Sequence, residues 1–201
     1  MSTIDHVSED NKKPSSGQVS ALRAVTSFIT GHDPSSGKSI VQSTRPGNWT
    51  AFDDNQTGFN VVYSTSFPAS LTGDADIIAH DELMKSQTLG LVKGGGTVCR
   101  IVDFAPGFEC IMHRTKSLDY GVVLEGSIEM ILDSGERTPM GRGDVAVQRC
   151  TMHSWQNVSE TEWARMLFVL QDCEKLTVAG NELKEDLGHG IVGLAPSKND
   201  A

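Results

Sequence analysis

Two stretches decide how this chain folds: Gly107-Phe-Glu-Cys-Ile-Met-His113-Arg-Thr115-Lys-Ser-Leu-Asp119-Tyr-Gly-Val-Val-Leu-Glu-Gly126 and Gly143-Asp-Val-Ala-Val-Gln148-Arg-Cys150-Thr-Met-His153-Ser-Trp-Gln-Asn157. Around them, residues 88–172 break into short apolar runs. Turn signals separate the runs at Gly94-Gly-Gly96, Pro106-Gly107, Asp133-Ser-Gly135, Gly141-Arg-Gly143 and Asn157. Such spacing predicts an all-β sandwich or barrel. Ile128, Met130 and Leu132 alternate with other residues, as a strand half buried against a core requires. Gly135 suits the positive φ of the hairpin turn that follows. Val145 and Val147 give the next apolar alternation, and residues 163–170 read as a final, more fully buried strand.

Outside this region, residues 23–30 and 39–44 predict a hairpin around His32-Asp-Pro-Ser-Ser-Gly37, and residues 60–65 another strand. Residues 76–86 are the helix candidate, with Asp74 or Asp76 as cap and Ile77, Ile78 and Met84 facing the barrel. Residues 182–188 suggest a short turn of helix. The expected division is a mobile polar tail over 1–20, an N-terminal β extension over 21–87 that wraps the barrel, the barrel itself over 88–175, and a C-terminal segment over 176–201.

The spacing of many positions at once makes the chain resemble the cupin superfamily. Its first motif is Gly, five residues, His-x-His, three or four residues, Glu, six residues, Gly. This chain keeps the intervals, with Thr115 in place of the second His and Asp119 in place of the Glu. The second motif survives as Gly143-Asp144, His153 and Asn157, with Gln148 and Cys150 replacing its Pro and Gly. The resemblance spans roughly residues 88–172. It implies a cupin jelly-roll barrel with short peripheral helices, its motif residues pointing into the mouth. The run His-Arg-Thr-x-Ser-x-Asp-Tyr-Gly from His113 to Gly121 is similar to single-domain cupins whose fungal members accompany secondary-metabolite, especially polyketide, pathways.

Composition narrows the function. With 26 Asp and Glu against 17 Lys and Arg, dispersed and without aromatic interleaving, nucleic acid is an unsuitable partner. No stretch approaches the ~20 apolar residues of a membrane span, and the polar N-terminus has no secretion-signal core. Cys99, Cys110, Cys150 and Cys173 are widely spaced, which fits reduced thiols in the cytoplasm and makes the sequons at Asn48, Asn55 and Asn157 chance matches. Gly31-His-Asp-Pro-Ser-Ser-Gly37-Lys38-Ser39 resembles a P-loop but has five residues between its glycines rather than four and leads into a β-like run. A hairpin turn is favoured there, and no nucleotide or organic cofactor is expected.

Carried over from the cupin pattern, the metal-ligand set is His113, Asp119 and His153, for one divalent ion such as Fe, Mn, Ni or Zn. Two imidazoles and a carboxylate compose a facial triad with open positions. Without a metal, the same groups serve as general acid and base near neutral pH. The expected catalytic residues are therefore His113, His153, Asp119 and Tyr120, with Thr115, Gln148, Trp155 and Phe168 lining a substrate site. Arg114 falls outside or at the rim, and His189 in Gly188-His-Gly190 could cover the mouth if the C-terminal segment folds back. The resulting expectation is a lyase- or isomerase-type enzyme tailoring a small, largely apolar metabolite, paired as a homodimer as many such cupins are. A metal-dependent oxygenase or other oxidoreductase is the alternative, and a non-catalytic binding protein a third.

Overall fold

A computed structural model describes residues 15–199. The chain runs through β1 (Ser15–Ser16), β2 (Thr26–His32), β3 (Ser39–Pro46), β4 (Trp49–Phe52), β5 (Thr57–Ser66) and the helix α1 (Ala75–Ser86). It continues through β6 (Gly96–Phe104), β7 (Ser117–Glu125), β8 (Ser127–Leu132), β9 (Arg137–Gly141), β10 (Val145–Arg149) and β11 (His153–Asn157). The last strands are β12 (Ala164–Asp172), β13 (Leu176–Val178) and β14 (Asn181–Leu183).

Seven strands form one sheet in the order β1-β4-β5-β6-β12-β7-β10, and β11-β8-β9 form a second. Their inner faces share one apolar core. Val102, Phe104, Val123, Met166 and Leu170 come from the first sheet, and Ile128, Met140 and Trp155 from the second. The strands pair antiparallel throughout, consistent with the predicted jelly roll. The N-terminal extension joins this architecture directly: β4 and β5 continue the large sheet beyond β6. None of the helices among the described residues is long and apolar enough to cross a membrane.

Several expectations need correction. Residues 1–14 of the expected tail lie outside the described residues, but 15–20 are tied down. Ser15–Ser16 pairs with β4, and Ser20 is buried with its hydroxyl on Asp103. The inward phase of β10 belongs to Ala146 and Gln148, while Val145 and Val147 are about half exposed on the outer face. The register explains this, because Gln148 pairs with Asp119 and both side chains are buried. On β8 the core positions are Ile128 and Ile131; Leu132 stands beside the 133–136 turn and is only half buried.

The helix falls where predicted, but Asp74 does not cap it: its carboxylate accepts from Gln42 Nε2 instead. Ile78 is exposed, and the buried residue is His80, which stacks on Tyr63 at 4.7 Å and bonds Ser64 Oγ. Residues 182–188 contain no helix. Ala179 and Gly180 both adopt positive φ, the geometry of a two-residue hairpin turn, and so join β13 to β14. The P-loop look-alike is the β2–β3 turn as expected, closed by the Asp33 carboxylate on the N–H groups of Ser35 and Ser36.

A buried ion pair ties the extension to the barrel. Arg165 on β12 donates from Nε and Nη2 to both oxygens of Asp103 on β6, at 2.6 and 2.7 Å. Neither side chain is more than 2% exposed. Nη1 holds the Arg23 carbonyl, and Trp49 lies under the guanidinium. All this polarity is paired, as a dry interior requires.

Candidate active site

β11 places His153 opposite the residue 113 backbone, where the two residues exchange both backbone N–H···O bonds at 2.8 Å. That bridge sets the imidazole rings side by side, with centroids 4.3 Å apart. His113 Nδ1 lies 2.8 Å from the Ile111 carbonyl, and His153 Nδ1 2.9 Å from the Thr151 carbonyl. A carbonyl can only accept, so each Nδ1 carries the proton and each Nε2 of the neutral ring keeps a lone pair. Burial pushes both pKa values down. His153 falls to about 3, with the neighbouring His113 adding to the effect of desolvation. At neutral pH both rings are neutral, and each Nε2 offers a hydrogen-bond acceptor.

A cavity of about 70 Å³ opens beside the rings. His113, Thr115, Asp119, Gln148, His153, Trp155 and Phe168 all line it, so seven of the eight expected residues are brought together. Trp155 meets His153 edge-on at 5.5 Å and Phe168 at 5.6 Å, giving a wall of aromatic rings. Tyr120 is the exception. One step along β7 from Asp119, it points to the outer face and is 41% exposed, so it has no place in the cavity.

Asp119 is buried, and burial raises its pKa to about 6 against the opposing hydrogen bonds of Ser117 and Thr115 and the charge of Arg100. Its Oδ2 accepts from Thr115 Oγ1 at 3.0 Å, and Thr115 in turn accepts from Ser117. Where the cupin pattern has a second His, this chain thus has a hydroxyl that orients the carboxylate. The expected ligand set is not assembled: among the described residues no group of three or more His, Cys, Asp or Glu side chains converges to hold a metal ion. The two free Nε2 atoms suit a metal, but Asp119 does not join them as a third ligand.

Other residues around the site have structural roles. Asn157 donates to the carbonyls of Phe104, Ala105 and Glu162, locking the turn after β11 and leaving no amide for a glycan. Cys150 takes the position of the cupin Gly and keeps its left-handed backbone, with φ of 54°. Burial raises the pKa of this thiol and drives that of Cys110 up to about 11, so neither is activated. The C-terminal segment does fold back: Arg114 bridges to Asp186, and Ile191 reaches the cavity wall, while His189 stays exposed.

Arg100 is the cavity residue the sequence reading missed. It occupies the inward phase of β6 between Val98 and Val102, at 3% exposure. A charged residue in an otherwise apolar alternation was the available signal.

Fold and site together define a cupin. A model of the cupin domain matches residues 100–170. The chain is 41% identical over 180 residues to phomopsin biosynthesis cluster protein D of Diaporthe leptostromiformis, covering 89% of this chain and 94% of that protein. It is 44% identical over 174 residues to the cupin-domain-containing oxidoreductase fogC of Aspergillus ruber, covering 85% and 83%. To the cupin-domain-containing oxidoreductase virC of Hypocrea virens it is 39% identical over 161 residues, covering 78% and 80%. The chain belongs to the cupin-domain family.

Proposed function

We propose that this cupin is a tailoring enzyme of a fungal biosynthetic pathway, acting by proton transfer on a small, largely apolar metabolite held in the barrel cavity. The carrying observation is the pair of neutral imidazoles with both Nδ1 protons tied to carbonyls, which leaves two Nε2 lone pairs beside an aromatic wall. Each Nε2 accepts a hydrogen bond from an acidic C–H or O–H of the substrate and orients it for proton transfer. Asp119, on the same cavity wall and with a pKa of about 6, is the stronger base and takes and returns the proton. The reaction is then a lyase or isomerase step. The biosynthesis-cluster and oxidoreductase names of its relatives support a tailoring role. Tyr120, Val145 and Val147, exposed on the outer face of β7 and β10, support the homodimer as the pairing surface.

A second reading follows from the relatives themselves, several of which are named oxidoreductases. The two are separated by feeding the purified protein, in D2O under air, the metabolite that accumulates when its gene is deleted. Proton transfer predicts solvent deuterium exchange at the reacting carbon with no O2 consumed. O2 uptake in step with turnover would replace this reading with the oxidoreductase one.

A further inference from the structure

The polar end of the cavity is incomplete. Arg100 lines it, and its Nη2 donates to the carbonyls of Gly90 and Leu91, both at 2.8 Å. Its Nε is buried and bonded to nothing, and among the described residues no carboxylate lies within 4 Å of the guanidinium. Phe59 packs against it at 5.5 Å. On the same wall, Asp119 Oδ1 is also buried without a partner. A buried donor and a buried acceptor both left open are costly unless a ligand completes them.

We propose that Arg100 and Asp119 form the polar recognition end of the substrate site. Its ligand is an acidic organic molecule whose carboxylate or enolate oxygen meets Arg100 and whose adjacent hydroxyl donates to Asp119. The inference rests on the proton-transfer reading only in placing the substrate in this cavity. A buried guanidinium that lacks a contacting carboxylate selects an anion, because the attraction is screened less there than in water. The same side chain also borders a wider, more polar cleft beneath α1, where an anion gains less over its solvation. The remaining walls, Trp155, Phe168 and Leu170 among them, accept the apolar body of the molecule.

The test uses salicylate, which carries a carboxylate next to a hydroxyl, against benzyl alcohol as a neutral aromatic, by calorimetric titration of the full chain. Salicylate should bind at least about tenfold more tightly, the scale of one charge-assisted hydrogen bond. Arg100→Met, which keeps the apolar bulk, should lose that advantage. Tyr120→Phe, altered only on the outer face, should retain salicylate binding within about threefold. Equal binding of the two probes by the unmodified protein overturns the proposal without any variant needing to fold. So does an undiminished preference in Arg100→Met, or its loss in Tyr120→Phe. Deuterium exchange is measured separately, so failure of the proton-transfer reading and failure of Arg100 recognition are told apart.

Discussion

Replacing His153 with Ala should lower turnover by about 10²-fold, the cost of misplacing the reacting proton. The fold should survive, because the ring borders a cavity instead of filling the apolar core. Its loss should destabilise by no more than about 2 kcal/mol, within the ordinary range for single substitutions. His113→Ala should behave alike, since the two imidazoles share one face of the cavity. Tyr120→Phe is the matched control: its hydroxyl lies outside, and activity should not change. Melting curves and assays on the pathway metabolite check all three variants. Full activity in His153→Ala would make that residue structural and remove the site assignment.

The largest stability effect is expected at Asp103. Asp103→Ala strands the Arg165 guanidinium in the interior, at a cost of about 3–5 kcal/mol. For a chain of this size that corresponds to a melting-temperature loss of roughly 6–20 °C. It should also loosen the segment around Ser20 and Arg23, which the pair holds against β6 and β12. Pairing Asp103→Leu with Arg165→Met should recover most of the loss, because two apolar groups need no counterion. Calorimetry of the single and double variants measures both effects. Equal melting temperatures for Asp103→Ala and the unmodified protein would show that water reaches the pair.

Much of this was legible in the sequence, for a physical reason. Turn residues and period-two alternation mark strands wherever one face is buried, and the β2–β3 hairpin, α1 and β12 fell where the pattern put them. Alternation misled where the inward residue was polar. On β10 the valines looked like the core phase, yet the inward positions are Ala146 and Gln148, because the large sheet faces a cavity there. The same blindness hid Arg100 and the Asp103–Arg165 pair, since a buried charge is visible in sequence only as an interruption. Site membership followed from motif spacing. The electrostatics did not, because whether Asp119 joins the histidines depends on β7 geometry and on the Thr115 hydroxyl.

The central claim is that His113 and His153 are a neutral, Nδ1-protonated pair whose Nε2 atoms face chemistry. Long-range ¹H–¹⁵N NMR of the imidazoles, followed from pH 8 downward, tests it most directly. Linkage gives an accompanying sign: the unfolded chain takes up protons near the ordinary His value of 6.5, whereas His153 resists until about 3. Stability is therefore full above pH 6.5 and declines as pH falls toward 3. In the spectra both rings should show the Nδ1–H tautomer, with His153 still neutral at pH 5. Protonation of both rings between pH 6 and 7, or an Nε2–H tautomer on either, would contradict the account.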